Sequence, residues 1–172
     1  MRRTLALSLL LLPVLALAAS TGGWVRLPGG NFRSALKYED RNQVRIAPFQ
    51  LMETAVTNAD FLAFVKRHPK WQRGKAPVVF AEDRYLQHWA GPTTLGAQAQ
   101  PNQPVVNVSW FAADAYCRAQ GARLPDWNEW EYAAAADETR LDARKDPVWR
   151  ERILGWYARP SRSALPRVGL QA

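Results

Sequence analysis

The clearest hydrophobic period in this chain has the i, i+3, i+4 spacing of an amphipathic helix, at Phe61, Phe64 and Val65. Just before it, Thr57 is followed three residues later by Asp60, as in the capping box of a helix start. Pro69 opposes helix beyond Arg67, because the residue before a proline avoids the α conformation. The pattern therefore predicts a helix that ends at Arg67.

Cap signals predict two more helices further along. Ser109 suits the N-cap of a helix over 110–120, and Gly121 ends it because glycine takes the left-handed conformation without a Cβ clash. A capping box at 126–129 then begins a helix over 127–136, a stretch composed mostly of good helix formers. These signals predict a helix, a tight turn and a second helix.

The C-terminal part alternates between charged and irregular segments. Residues 137–145 are charged and are expected to be exposed. Asp146, with a proline after it, is a good cap for a short helix over 147–154 that Gly155 ends. Residues 156–172 show no periodicity, so no closing element is predicted there.

Short β-favouring runs lie between turn signals. Residues 24–27 predict a first strand, and the Pro-Gly-Gly turn at 28–30 predicts an N-terminal hairpin. Residues 34–43 are polar and are expected to be irregular, whereas 44–52 predicts a second strand that its proline bends. Residues 104–108, opened by a proline, predict a short strand before the Ser109 helix.

The segment 68–103 is rich in Pro, Gly, Gln and Thr and predicts an unusually long loop. It carries scattered aromatic residues, at Trp71, Phe80, Tyr85 and Trp89. We expect these side chains to pin the loop to the core. The alternative is an exposed aromatic platform that stacks on a sugar.

The first residues have the pattern of an export signal. Arg2 and Arg3 precede an apolar run over 5–15, and Ala16 and Ala18 on either side of a leucine fit the small-x-small pattern of a cleavage site. We expect a signal peptide over 1–18 and a mature domain over 19–172, located in the periplasm or secreted. The apolar run is too short to span a bilayer, which takes about 20 residues, so no integral membrane segment is expected after cleavage; an uncleaved anchor is the alternative.

Charge and composition narrow the functional class further. The chain of 172 residues carries 23 Lys+Arg and 15 Asp+Glu, and loss of Arg2 and Arg3 lowers the net charge from +8 to about +6. Because the arginines are spread along the sequence, we expect a solvated surface and no nucleic-acid partner. Cys117 is the single cysteine, so no internal disulfide is possible, and we expect a small buried thiol.

Catalytic and metal-binding patterns are not recognised in the sequence. His68 and His88 lie twenty residues apart with no second ligand at helical spacing, and each is expected at the surface. Glu129 and Glu131 point to different faces of a helix and make a poor acid/base pair. The residues by themselves indicate a tryptophan-rich domain of mixed α and β structure, with no catalytic, cofactor-binding or metal-binding residue assigned.

Two segments nevertheless resemble the signature of the formylglycine-generating enzyme (sulfatase-modifying factor) family. Residues 104–117 read PVVNVSWFAADAYC and 121–134 read GARLPDWNEWEYAA, and 24–32 and 56–61 resemble the family's opening strand and first helix start. The resemblance assigns structural motif positions to Thr57, Asn58, Phe61, Ser109, Trp110, Tyr116, Cys117, Arg123, Leu124, Pro125, Glu129, Trp130 and Glu131.

The resemblance implies an α+β fold related to the C-type lectins, loop-rich, with two main helices and short antiparallel strands. We expect the capped helices to carry Trp110 and Trp130 into the core and Arg123 to form a buried ion pair with Glu131. The resemblance further implies that sequence beyond residue 172 is missing, that the C-terminal part of the fold is absent, and that the chain alone is at best partly folded.

Known members of the family include copper-dependent oxidases that convert a protein cysteine to formylglycine, iron-dependent sulfoxide synthases, and exported proteins, some encoded with copper nitrite reductases. The copper-binding cysteine pair of the oxidases has no counterpart here. Copper or calcium is therefore expected only if a further C-terminal half supplies the ligands. The leading hypothesis is an exported, non-catalytic accessory or binding module for an exported protein or peptide; the alternatives are a fragment of a formylglycine-forming oxidase and a lectin-like carbohydrate or protein binder.

Overall fold

The computed structural model describes residues 23–38, 41–158 and 165–169. The predicted signal peptide over 1–18 lies outside these residues. The described part is an α+β fold, which confirms the predicted class. It comprises β1 (Trp24–Leu27), β2 (Gly30–Tyr38), β3 (Arg41–Ile46), β4 (Phe49–Met52), α1 (Asn58–Arg67), α2 (Trp110–Ala119), α3 (Trp127–Ala134) and α4 (Pro147–Tyr157), with short 3₁₀ turns at Pro69–Trp71 and Val78–Phe80.

The four strands form one bent antiparallel ribbon. β1 pairs with β4 and β2 pairs with β3, and the same register continues from Trp24 opposite Met52 to Arg33 opposite Gln43. The predicted hairpin between β1 and the next strand is therefore wrong, as is the irregular segment over 34–43. The polar run was misleading because a strand whose outer face is solvated needs apolar residues on one side only.

The two ends of the ribbon turn opposite faces to the core. On the β1–β4 side of the bend, Leu27 and Phe49 pack around Tyr132 of α3, and on the β2–β3 side Phe32 and Ile46 do so. Gly29 and Gly30 lie at the bend with positive φ angles of 68° and 130°. A Cβ on Gly29 would collide with the backbone carbonyl of Ile46, so the bend requires glycine at this position.

The predicted caps are confirmed at the start of every α-helix that the structure describes. Thr57 and Asp126 form reciprocal capping boxes at α1 and α3, and the Ser109 hydroxyl accepts the amide N–H of Ala112 at 3.2 Å at α2. α4 begins after Asp146 as predicted. Its predicted end at Gly155 is wrong, since a glycine stops a helix when its φ is positive and Gly155 keeps a negative one.

The main hydrophobic core lies between α1, α2 and the long loop. Trp71, Tyr85 and Trp89 of the loop are buried against Phe61 and its neighbours, which confirms that they pin the loop to the core. Their burial contradicts the sugar-stacking platform proposed for them, because a ring without exposed face cannot stack on a ligand. Phe80 is the partly exposed exception.

The predicted strand over 104–108 is wrong. It forms an isolated bridge between Pro104 and Thr57, with the Val105 amide donating to the Val56 carbonyl at 2.9 Å. Asn107 has a φ of 52°, which no strand residue adopts, and its carbonyl accepts the amide of Leu86 at 2.9 Å. The tertiary bond to the loop thus overrides the β propensity of the valines.

Among the described residues, no helix combines the length and the apolar character of a membrane span.

Candidate functional site

The motif residues of α1 form a buried hydrogen-bonding network. Asn58 donates its side-chain amide to the carbonyls of Gln100 and Gln103 at 3.1 and 3.3 Å, and its Oδ1 accepts the indole N–H of Trp89 at 3.0 Å. Phe61 packs its ring against Tyr116 of α2, with centroids 5.8 Å apart. These contacts join α1, α2 and the long loop, so this part of the motif is structural.

The expectation that Trp110 and Trp130 enter the core is wrong. Trp110 is 64% exposed and Trp130 is 51% exposed. The inward face of α2 is formed by Ala112 and Tyr116, one turn apart, and that of α3 by Glu129 and Tyr132. Each tryptophan lies on a different side of its helix from these residues, because a step of one or two residues turns the side chain away from the buried stripe.

The ion pairs around α3 differ from the predicted one. Arg123 pairs with Glu129, its Nη1 and Nη2 each 2.6 Å from a carboxylate oxygen. Glu131 instead accepts the hydroxyl of Ser34 at 2.6 Å and lies 3.4 Å from Arg144. Glu131 therefore ties α3 to β2, and Arg123 ties the preceding turn to the start of the same helix.

The electrostatics of Glu129 follow from these contacts. The hydrogen bonds from Arg123 lower the pKa of its carboxyl, and the amide N–H of Asp126 lowers it further, although burial opposes both. Arg123 itself has a side chain that is 63% exposed. The pair is thus half open to solvent and holds Glu129 ionised at neutral pH.

Several motif residues meet in a concavity between β4 and the connection from α2 to α3, which we name the Cys117 groove. Its volume is about 720 Å³. The residues that line it include Trp24, residues 49–56, Cys117, Gln120, Ala122, Arg123 and Glu129. Cys117 is partly buried rather than fully so, and burial, followed by the nearby Asp114 carboxylate, raises the pKa of its thiol. A protonated thiol is a weak nucleophile.

A second concavity lies at the other end of α2 and is bordered by exposed apolar side chains, which we name the Trp110 patch: Val78, Val79, Phe80, Trp110 and Phe111. Its volume is about 490 Å³. The Phe111 ring meets Phe80 at 4.9 Å and Trp110 at 5.5 Å between centroids, both edge to face. Sequence analysis missed Val78 and Val79, although an apolar pair inside a polar loop is a usable signal.

Two buried polar groups have no hydrogen-bond partner among the described residues. Both ring nitrogens of His88 are buried, so the expectation of a surface histidine is wrong, and burial together with the Arg73 guanidinium lowers the pKa of the ring. The Tyr116 hydroxyl is the second such group, and burial, with Asp60 and Cys117 adding to it, raises its pKa to about 12. Both groups are neutral at pH 7; Tyr116 belongs to the main core, whereas His88 as a whole is half-buried.

Metal-binding geometry is not found in the part of the chain that the structure describes. There, no three His, Cys, Asp or Glu side chains come together in a way that could hold a metal ion. The carboxylate, imidazole and thiol groups of the described residues thus do not by themselves fit a copper or calcium site.

Comparison with known proteins extends these observations. The profile of the sulfatase-modifying factor enzyme 1-like domain matches residues 15–162. A formylglycine-generating enzyme of Streptomyces coelicolor is 38% identical over 67% of this chain and 48% of its own length. The inactive C-alpha-formylglycine-generating enzyme 2 of Mus musculus is 31% identical over 64% of this chain and 46% of its own.

A more distant similarity links the chain to a hercynine oxygenase of Mycolicibacterium thermoresistibile, which is 33% identical over 60% of this chain and 26% of its own length. The chain spans about half the length of the first two relatives. The profile covers most of the sequence, from the predicted signal peptide to beyond α4. The chain therefore belongs to the family of sulfatase-modifying factor enzyme 1-like domains.

Proposed function

We propose that this protein is an exported, non-catalytic accessory module that binds an apolar segment of an exported partner protein at the Trp110 patch. The observation that carries the proposal is the exposure of that patch, where Trp110 and Val78 are 64% and 87% exposed. Contiguous exposed apolar surface marks interaction sites on folded domains. Aromatic residues dominate such sites because each buries a large area on binding.

Further observations support export and the lack of catalysis. The N-terminal sequence, with Arg2 and Arg3 before an apolar run, supports export. The 31% identical mouse relative is named inactive, and we extend that description to this chain. An exported copper nitrite reductase is the partner that the family resemblance suggests.

The binding part is tested by placing benzoylphenylalanine at Phe111 and irradiating cells that contain the exported protein. We expect a cross-link to one exported protein, with copper nitrite reductase tested first, and we expect Trp110→Ala to weaken binding of that purified partner at least about tenfold. The matched control is Trp127→Ala, which removes another exposed helix tryptophan, 54% exposed and outside the patch. Equal loss in both variants, or no cross-link, contradicts the proposal.

Export and lack of catalysis have their own tests. We expect the mature protein in the periplasmic or secreted fraction with Ala19 as its first residue. Incubation with copper, oxygen and a cysteine peptide is expected to leave the cysteine unchanged. Formation of formylglycine by the complete protein overturns the non-catalytic role.

The second candidate function is that of a formylglycine-forming oxidase. The observation in its favour is the 38% identity to the Streptomyces coelicolor enzyme. Sequencing the locus beyond the codon for Ala172 tests it. A downstream cysteine pair supports this candidate, and the absence of such a pair removes it.

A further inference from the structure

The densest run of positive charge in the chain is residues 66–75, which we name the Lys70 turn. It reads KRHPKWQRGK, with five Lys or Arg residues and no acidic residue. Three of the five lysines of the chain lie in it, so its charge is concentrated, whereas the arginines are spread along the sequence. A basic run of this density on a folded surface is a candidate site for an anionic partner.

The fold winds the Lys70 turn into a compact unit. α1 ends within it, the 3₁₀ turn Pro69–Trp71 follows, and the amide of Lys75 then donates to the carbonyl of Gln72 at 2.9 Å. The Trp71 carbonyl accepts the hydroxyl of Tyr85 at 2.8 Å, which fastens the turn to the long loop. A 3₁₀ turn advances about 2 Å per residue, against about 3.3 Å for an extended chain. The charges of the turn are therefore held close together.

Most of these charges are turned to solvent. The exposed ones are Lys66, Arg67, Lys70 and Lys75. None of the four makes an ion pair with a residue that the structure describes. The fifth, Arg73, is partly buried and donates to the carbonyl of Trp89, so its role is structural.

The end of α1 accounts for only part of this charge. Lys66 and Arg67 lie in its last turn, where the negative end of the helix dipole favours them. Lys70 and Lys75 lie beyond the helix, and no acidic group offsets them. Because an unpaired ammonium group loses its hydration when it is buried, these side chains either stay in solvent or meet an anion.

The chemistry of the turn favours a lipid surface over a sugar or a nucleic acid. Sites for sugars and single-stranded nucleic acids stack their ligands on exposed aromatic rings, whereas Trp71 is only 8% exposed. Lysine is a flexible point charge without the two-point fork of arginine, which suits a diffuse layer of phosphate headgroups. Clusters of about four to eight basic residues bind anionic membranes in this way.

We propose that the Lys70 turn docks the protein on the surface of a membrane that contains anionic phospholipids. The contact is electrostatic and reversible, because Trp71 packs into the core and is not available to insert between lipids. The inference does not rest on the Trp110 patch, which is apolar and is formed by other residues.

Sedimentation of the complete exported protein with lipid vesicles tests the docking. We expect binding to vesicles of phosphatidylglycerol and phosphatidylcholine in equal amounts to exceed binding to pure phosphatidylcholine by at least about tenfold. Raising the salt concentration from about 0.05 M to about 0.5 M should release the protein, because the Debye length shortens. Equal binding to the two kinds of vesicle, or binding that salt does not weaken, overturns the proposal.

A triple variant assigns the binding to the turn. Each basic residue is expected to contribute about fivefold to the partition, so removal of three charges should weaken binding to anionic vesicles at least about tenfold: Lys66→Gln, Lys70→Gln and Lys75→Gln. Arginine at the same three positions keeps the charge and should keep the binding. Loss of binding in the arginine variant would show that charge is not the cause.

The matched control removes three exposed arginines of the strands, which likewise make no ion pair with a described residue: Arg26→Gln, Arg33→Gln and Arg45→Gln. Both glutamine variants have the same net charge. Equal loss of binding in the two would assign the effect to overall charge and overturn the turn as the site.

A soluble polyanion separates the lipid surface from a sugar partner. A heparin oligosaccharide is titrated against the parent protein and the triple lysine variant. Heparin binding through these lysines, together with no binding to anionic vesicles, overturns a membrane as the partner.

Discussion

Arg123 and Glu129 form a two-point ion pair in which both N–O distances are 2.6 Å. The planar guanidinium matches the carboxylate in a way that no other side chain reproduces. The same carboxylate accepts the amide of Asp126 at 3.0 Å and closes the capping box of α3. One glutamate thus fixes both the turn before the helix and the helix start.

Replacing this glutamate tests the role of the pair. We expect Glu129→Gln to lower the free energy of unfolding by about 1–2 kcal/mol at pH 7, because the exposed arginine rehydrates while one charged bond and part of the cap are lost. Asn128→Ala on the same helix is the control. Urea unfolding followed by tryptophan fluorescence measures both, and equal stabilities of Glu129→Gln and the parent protein would refute the assignment.

The pair also sets a pH dependence. Because the pKa of Glu129 is lowered from its ordinary value of 4.5 in the fold, its stabilisation is complete above that value. The stabilisation is lost as the pH falls through the lower pKa of the folded state. The stability difference between the parent protein and Glu129→Gln should therefore shrink below about pH 4; a difference that persists unchanged at pH 2 would contradict this sign.

Asn58 provides a test of the buried network. Its replacement by alanine leaves the indole N–H of Trp89 without its partner. It also removes one donor from each of the Gln100 and Gln103 carbonyls, which keep the backbone amides of residues 103 and 58. We expect a loss of about 2–3 kcal/mol in unfolding free energy. A double-mutant cycle with Trp89→Phe, which removes the indole N–H, should give a coupling energy of about 1 kcal/mol. Asn31→Ala on the exposed face of β2 serves as control, and additivity of the two core changes would argue against the bond.

Gly29 and Gly155 are predicted to respond to alanine in opposite directions. Gly29→Ala meets the Ile46 carbonyl at a positive φ and should cost at least about 2 kcal/mol or unpair the ribbon. Gly155→Ala enters open space in α4 and should increase helix stability by about 0.5–1 kcal/mol. Thermal unfolding of the two variants measures the contrast. A stabilising effect at Gly29 would show that the bend does not require glycine.

His88 is predicted to weaken the fold in mild acid. Burial and then Arg73 lower its pKa in the folded state, so the unfolded chain binds the extra proton first as the pH falls below about 6.5. Stability should consequently decrease from pH 7 toward the lower pKa of the folded ring and level off beneath it. His88→Gln should flatten this part of the urea-midpoint profile. Identical slopes in the variant and the parent protein would exclude His88 as the origin.

Local chemistry determined which helices form and where they begin. Each N-cap needs a side-chain acceptor within three residues of the amides it satisfies, so Thr57, Ser109 and Asp126 were readable from the sequence alone. The role of the loop aromatics was also predictable, because large rings in a polar segment gain most by burying their area against the core. The family resemblance was recognisable in residues 104–117 and 121–134.

Only the tertiary structure decided what those elements pack against. The pairing of β1 with β4 and the exposure of Trp110 and Trp130 depend on contacts between distant segments, which no spacing along the chain encodes. The partner of Glu131 was decided in the same way, since Ser34 lies 97 positions away. Residues near in sequence fix local geometry, whereas the Cys117 groove and the Trp110 patch depend on how separate elements pack against one another.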